Sequence, residues 1–257
     1  MKREFLPRPL RACLWALLAV LVGIIYYIAL GCPTFSIRQD FRRAEKVNLA
    51  GPSKIVDQVA SAQYIEFDQM VVGETEQGIC FFGRYGTLIS DGIHSGEYRY
   101  LFSYQKKTGD ITFAAPPNIY GYTGIYALPV YVFTEYKNAT RATISITVSG
   151  SRPSPQIGKA AQKPFKEVFR SEAERDKNGF FRFYLTAQHN FSPSDPFDRD
   201  NDEAYSLFCI SNLSNGNAYY ENQATMSIPI TVTLFDADGN EIVTKELQLG
   251  AYEQEKD

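Results

Sequence analysis

The sequence predicts a mostly β protein, in which one N-terminal transmembrane helix is followed by an antiparallel β-sandwich with one or two short helices. Three observations lead to this fold class. Residues 13–30, CLWALLAVLVGIIYYIAL, form an apolar run without a charge. After residue 60, short runs rich in β-branched and aromatic residues are separated by polar turns. Aromatic residues make up 14% of the chain, with 17 Tyr and 18 Phe, and this composition favours sheets.

The apolar run is long enough to cross a bilayer. At 1.5 Å per residue, a helix over residues 13–30 spans about 27 Å, close to the ~30 Å hydrocarbon core. Trp15 lies near one end, and Tyr26 and Tyr27 lie near the other, where aromatic side chains meet the membrane interface. A buried core helix would instead need the rest of the fold to cover all of its faces. We therefore expect residues 12–31 to contact the lipid bilayer.

Two interpretations of residues 1–32 are open. In the first, they form a cytoplasmic head and an uncleaved transmembrane anchor. In the second, they are a signal peptide, because Ala29-Leu30-Gly31-Cys32 resembles a bacterial lipobox in which Cys32 is lipidated. Cleaved signals have apolar regions of about 7–15 residues, shorter than the run seen here. The length therefore favours the anchor.

Lys and Arg residues do not decide the orientation of the anchor, because equal numbers flank it. Those before the run are Lys2, Arg3, Arg8 and Arg11, and those that follow it closely are Arg38, Arg42, Arg43 and Lys46. A basic head before an apolar run has the form of an export signal. We therefore expect a single-pass protein of the cytoplasmic membrane, with the N-terminus inside and the C-terminal domain extracytoplasmic.

Residues 33–60 are predicted to form a membrane-proximal amphipathic helix and a linker. Ile37, Phe41 and Ala44 recur at helical spacing between charged residues, Ser36 is a suitable N-cap, and Gly51-Pro52 ends the segment. The basic face of this helix is open to anionic headgroups, although packing of the helix on the main domain is the favoured interpretation.

The predicted strands follow from period-two alternation and turn residues. They are residues 64–72, 78–85, 98–104, 110–114, 128–134, 142–149, 180–186, 204–210, 228–235 and 241–249. In 142–149, Ile144, Ile146 and Val148 face one way, and hydroxyl-bearing residues face the other. The last two runs flank the acidic, Gly-containing turn 236–240, which predicts a hairpin.

Residues 151–175 are predicted to be a Pro-rich linker and a short helix. Three prolines lie between residues 151 and 164, and Phe165, Val168 and Phe169 would form one apolar helical face. This helix, centred on residues 165–175, either separates two sandwich halves, 61–150 and 176–257, or crosses over within one sandwich.

Several stretches carry a resemblance to a known group of proteins. They are GCP at the exit of the apolar run, FRRAEKVNLAGPSKI, ATRATISITVSG and TVTLFDADGNEI. Together they resemble uncharacterised single-pass membrane-anchored extracytoplasmic proteins of Gram-positive bacteria. The last two stretches are similar to strands of bacterial immunoglobulin-like surface modules. The resemblance implies localisation and an immunoglobulin-like fold, as one unit or two halves, and implies no activity.

Carboxylates and cysteines offer weak site candidates. Asp198, Asp200 and Asp202 alternate like the start of a calcium loop, but the sixth and twelfth positions hold Glu203 and Cys209 where an EF-hand needs Gly and Glu. A solvated acidic loop is the favoured interpretation, so no metal is expected. Cys80 and Cys209 lie in apolar runs, where they form either a disulfide between sheets or two buried thiols.

Catalytic and nucleic-acid functions find no support in the sequence. His94 and His189 are the only histidines, and neither lies in a nucleophile, phosphate-loop or metalloprotease motif. The chain has 26 basic and 29 acidic residues, so it has no cationic excess with which to bind nucleic acid. We expect no enzyme activity and no cofactor.

Tyrosines are the remaining binding candidates. Tyr120, Tyr122 and Tyr126 lie in the Gly-rich stretch IYGYTGIY, where an exposed loop would present their rings to a partner. The aromatic face of residues 98–104 fits a core strand better. The expected function is therefore non-catalytic, an interaction or envelope-structure role with an unknown extracytoplasmic protein or glycan. Surface carbohydrate binding is the alternative, and an envelope-acting hydrolase is less favoured.

Overall fold

The computed structural model describes residues 7–29, 36–60, 69–84, 100–117, 127–153, 162–187, 201–215, 226 and 228–249. The helices are α1 (Arg8–Ala29), α2 (Ile37–Val47) and α3 (Asp202–Ser214). The strands are β1 (Lys54–Ala60), β2 (Gln69–Glu74), β3 (Gly78–Arg84), β4 (Tyr100–Lys106), β5 (Ile111–Ala114), β6 (Ala127–Thr134), β7 (Arg141–Pro153), β8 (Gln162–Glu174), β9 (Phe180–Thr186), β10 (Ile228–Phe235) and β11 (Glu241–Leu249).

The strands form three antiparallel sheets. The first sheet has the order β1-β2-β3-β4, the middle sheet β5-β6-β9, and the outer sheet β11-β10-β7-β8. The predicted fold class, a mostly β chain of antiparallel sheets behind an N-terminal apolar helix, is confirmed. The sheets number three in the described residues, so the packing has one more layer than a simple two-sheet sandwich.

The middle sheet is buried on both faces. Val130 and Val132 of β6 share a core cluster with Ile144 and Ile146 of the outer sheet. Tyr131, which lies between the two valines and points the other way, shares a cluster with residues of the first sheet. Every residue of β6 except the last is buried. This double burial explains why the sequence of β6 reads as a continuous apolar run.

The first sheet is likewise covered on both sides. All seven residues of β3 are buried. Ile79 and Phe81 face the middle sheet, and Cys80 and Phe82 face α2, where they share a cluster with Phe41. The chain therefore stacks in the order α2, first sheet, middle sheet, outer sheet.

The helix predicted over residues 165–175 is wrong, because this segment is strand β8. It pairs with β7 along its whole length, from Arg141 opposite Glu174 to Pro153 opposite Gln162. Phe165 and Phe169 are buried, whereas Val168 is 46% exposed. Two phenylalanines four residues apart fit both a helix and a strand, and pairing with the apolar face of β7 selects the strand.

The strand predicted over residues 204–210 is also wrong, because this segment belongs to α3. Asn201 caps the helix by accepting a hydrogen bond from the N–H of Ala204 at 3.0 Å. Ten successive residues, 204–213, are buried. Such a helix shows no amphipathic period in its sequence, so its apolar run looks like a strand. It contacts strands of the middle and outer sheets.

The sheets do not divide at residues 151–175. Strands β6 and β9 pair across this segment, and so do β7 and β10. The alternative of two separate halves therefore disagrees with the strand pairing, and a single layered unit agrees with it. Strand β1, which lies in the predicted linker 33–60, was not predicted and forms one edge of the first sheet.

A pair of adjacent substitutions tests the assignment of β8. We expect Phe169→Ala to lower the free energy of unfolding by about 3–5 kcal/mol, because it empties a core position. We expect Val168→Ala to change it by about 0.5 kcal/mol or less, because its side chain is half-exposed. Chemical unfolding of the full chain in detergent micelles measures both. Similar large losses for both variants would contradict the strand and support the helix.

Candidate functional site

Helix α1 is long and apolar enough to cross a membrane. The span Pro9–Tyr27 has a mean hydropathy of 2.0, and none of it is buried against the rest of the protein. Residues 30–36 separate α1 from α2, so the two helix ends lie at most roughly 30 Å apart at about 3.6 Å per residue. An interaction that fixes the position of α1 therefore also keeps the start of α2 within this distance of it.

Helix α2 has an inner face that packs on the first sheet and an outer face that is basic. Its inner face, which packs on the first sheet, contains Ile37, Asp40, Phe41, Ala44 and Glu45. Its outer face is basic, because Arg38 and Lys46 are exposed and Arg42 and Arg43 are half-exposed. Both carboxylates of the helix thus point inward, and its four basic side chains point outward or lie at the rim.

A buried ion pair fixes the inner face to the sheet. The guanidinium of Arg84, at the end of β3, donates to the carboxylate of Asp40 at 2.9 Å, and the side chains of both residues are only 9% exposed. The same guanidinium donates to Oε1 of Gln69 at 2.9 Å. In a desolvated site, such a pair is directional, so it sets how α2 is placed along the sheet.

Glu45 holds the chain that leaves α2. Its carboxylate accepts a hydrogen bond from the backbone N–H of Ser53 at 2.9 Å and one from Arg42 at 2.6 Å. Burial, assisted by the nearby Glu45 charge and opposed by Arg42, raises the pKa of Cys80 to about 12. The Cys80 thiol is therefore protonated at neutral pH, so it is poorly suited to act as a nucleophile or a metal ligand.

Gly73 of β2 allows the close approach of α2. A Cβ atom at this position would clash most closely with Oγ of Ser53, and it would lie 2.6 Å from Cζ of Phe41. Phe41 is fully buried, and its ring centroid lies 6.1 Å from that of Phe82. A larger residue at position 73 would therefore force Phe41 of α2 and Ser53, in the segment that follows α2, to move away from the sheet.

An open groove of about 470 Å³ lies beside the chain that follows α2. Residues 50–52, residues 74–77 and Tyr104 line it. Tyr104, on the predicted core face of β4, is 43% exposed, so that part of the face is not core. Glu74 in the groove already pairs with Lys107 at 2.7 Å.

A second polar connection joins the first and middle sheets. Asp57 accepts hydrogen bonds from the Tyr131 hydroxyl at 3.0 Å and from Arg182 at 2.9 Å. A register shift between Ile55 and Asp57 marks a β-bulge in β1, which turns Asp57 toward the middle sheet beside Val56. Burial, together with the Asp57 charge, raises the pKa of Tyr131, so its hydroxyl stays a donor.

The tyrosine, lipidation and histidine candidates lie outside the described residues. They are Tyr120, Tyr122, Tyr126, Cys32, His94 and His189, and Asp198 and Asp200 of the acidic run lie outside as well. Asp202 lies in the first turn of α3 and pairs with Lys163 at 3.1 Å. Within the described ranges, no group of three or more His, Cys, Asp or Glu residues is placed to hold a metal ion.

Neither of the two candidate disulfide cysteines is in a disulfide bond. Cys80 lies in the cluster between α2 and the first sheet, whereas Cys209 lies on α3 in the cluster between the middle and outer sheets. The disulfide alternative is therefore not present in the structure, and both residues occur as buried thiols. The apolar sequence around each Cys is compatible with a disulfide and with two buried thiols. The two sulfur atoms are kept apart because the cysteines lie between different layers of the fold.

The fold and the α2 contacts together define a layered antiparallel β protein with an apolar N-terminal helix. The chain matches no protein-family model, no curated protein and no solved structure. The class is therefore defined by the structure alone.

The polar residues that join α2 to the sheet, Asp40, Glu45 and Arg84, were not singled out in the sequence. A signal for one of them was present, because Asp40 lies three residues after Ile37 and four before Ala44, on the apolar face of the helix. A carboxylate on such a face needs a partner, but the sequence does not show that Arg84 supplies it.

Removing one member of the buried pair is expected to be costly. Arg84→Met leaves the Asp40 carboxylate buried without its cation, so we expect a loss of about 3–5 kcal/mol in the free energy of unfolding. The double variant Asp40→Leu/Arg84→Met should recover most of this loss, because apolar side chains then replace both charges. Urea unfolding of the full chain in micelles measures the effect.

The matched control is Lys163→Met, which breaks the more exposed pair with Asp202. Its expected effect is about 1 kcal/mol or less. An Arg84→Met variant no less stable than this control, or a double variant as unstable as the single one, would contradict a stabilising buried pair between α2 and the sheet.

Proposed function

We propose that this chain is a single-pass membrane protein that holds a non-catalytic β domain at the extracytoplasmic face of the cytoplasmic membrane, in an interaction or envelope-structure role. The observation that carries the proposal is the continuity of anchor and domain. Helix α1 is long enough to span a bilayer, and α2, which follows after residues 30–36, is already part of the packed domain.

The exposed apolar surface of α1 supports membrane insertion. Trp15 and Leu17 are each 69% exposed, and Ile25 and Tyr26 are 58% and 64% exposed. A continuous apolar helix of this kind is unfavourable in water and favourable in lipid. The orientation rests on the basic head before the run, which has the form of an export signal.

An interaction role is supported by what the polar side chains do. Asp40 pairs with Arg84, Glu45 binds the Ser53 N–H, and Asp57 joins two sheets. Among the described residues, these groups are the most buried acids near the first sheet, and they help to hold the layers together. The resemblance to membrane-anchored proteins of Gram-positive bacteria agrees with this role and adds no substrate.

Protease accessibility tests the topology. When the full chain carries an N-terminal epitope tag, protease added to intact protoplasts should degrade the β domain and leave the tag on a short protected fragment. Lysing the protoplasts first should expose the tag as well. A β domain that resists protease until lysis would reverse the orientation. A mature protein without the tag would favour cleavage before Cys32 over an anchor.

A further inference from the structure

The outer face of α2 is one end of the layered stack, and its side chains are mainly basic. Arg38, Arg42 and Lys46 recur every four residues along this face, with Arg43 beside them. The acids of the helix, Asp40 and Glu45, are 8% and 2% exposed. Arg42 pairs with Glu45 at 2.6 Å, so its charge is partly neutralised, and Arg38 and Lys46 are the exposed cations of this face.

Exposed apolar side chains lie at the C-terminal end of the same helix. Val47 is 67% exposed, and Leu49 is 91% exposed. Leu49 has a φ of +55°, which is uncommon for a residue with a branched side chain, and Asn48 at the C-cap donates to the Ala44 carbonyl at 2.9 Å. Cations beside exposed apolar groups are the composition of helices that lie at a membrane interface.

The short connection between α1 and α2 favours one partner for the outer face of α2. Residues 30–36 keep the start of α2 within roughly 30 Å of the end of α1, by the reach of an extended chain. If α1 spans a bilayer, α2 therefore lies within reach of the headgroups of that same bilayer. The tether then gives the headgroups an effective concentration at α2 on the order of millimolar.

We propose that the outer face of α2 binds anionic lipid headgroups of the bilayer that α1 spans, so that the first sheet is held against the membrane rather than free on a tether. This inference rests on the proposed membrane anchoring. The cations supply the attraction, and Val47 and Leu49 enter the interface between headgroups and acyl chains. Each basic residue near an anionic surface changes the ratio of docked to undocked domain about fivefold.

The chain offers its own fluorescent probe, because Trp15 is the single tryptophan. The full chain with Trp15→Phe/Val47→Trp is reconstituted in vesicles of phosphatidylcholine, with or without about one-third phosphatidylglycerol. A phosphatidylcholine with a spin label on its headgroup quenches an indole that lies at the surface. We expect strong quenching in the anionic vesicles and less in the neutral ones. Salt at 1 M, where the Debye length is about 3 Å, should remove the difference.

Charge reversal tests the recognition. Adding Arg38→Glu/Lys46→Glu to the reporter chain should lower the docked-to-undocked ratio at least about 25-fold, from fivefold per residue. The quenching in anionic vesicles then falls to the neutral level or below. The matched control is Lys137→Glu/Lys166→Glu, which reverses the same number of charges at exposed positions distant in sequence from α2 and should leave quenching unchanged.

The outcomes separate this inference from the anchoring on which it rests. Native Trp15, quenched by lipids with spin-labelled acyl chains, reports insertion of α1. If Trp15 is quenched but the indole at position 47 is not, the anchor holds and docking is overturned. If position 47 is quenched equally in both lipids and charge reversal has no effect, headgroup recognition is overturned. If Trp15 itself is not quenched, the anchoring fails.

Discussion

Double-sided burial of the middle sheet is the constraint on which the other layers depend. Successive residues of a strand point to opposite faces, so Val130 and Val132 hold the outer sheet while Tyr131 and Phe133 hold the first sheet. Each of the two neighbouring sheets buries one of its faces against this surface. Helix α2 then covers the remaining apolar face of the first sheet. A polar residue that faced either layer from β6 would therefore disturb packing throughout the stack.

Apolar layers alone do not fix how the sheets are aligned, because hydrophobic packing has little directionality. Polar contacts between layers supply this alignment. The amide of Gln105 on β4 donates to the Ala115 carbonyl at 2.6 Å and accepts from its N–H at 3.3 Å. Lys245 on β11 pairs with Asp110, which precedes β5, and this pairing together with a hydrogen bond from Tyr136 lowers the pKa of Asp110 to about 2. Polar contacts thus link the middle sheet to the first sheet on one side and to the outer sheet on the other.

The sequence predicted most elements whose burial is one-sided or whose turns are marked by Gly and Pro. Helix α2 was predicted between the N-cap Ser36 and Gly51-Pro52 and occurs at Ile37–Val47, because its apolar spacing is unambiguous. The hairpin of β10 and β11 was predicted because each strand alternates or is β-branched around a Gly turn. Strand β8 and helix α3 were assigned wrongly, because neither the spacing of Phe165 and Phe169 nor the continuous buried run 204–213 of α3 specifies one period. The polar contact between α2 and the first sheet could not be predicted, because Asp40 and Arg84 lie 44 residues apart and only the fold brings them together.

Amide hydrogen exchange on the full chain tests the layered architecture most directly. Strand β6 is paired on both sides and buried on both faces, whereas β11 is an outer strand with alternating exposure. The account predicts that amides of β6 exchange slowest, only through global unfolding, and that amides of β11 exchange through smaller openings. Exchange of β6 as fast as that of β11 would contradict a middle sheet buried between two others.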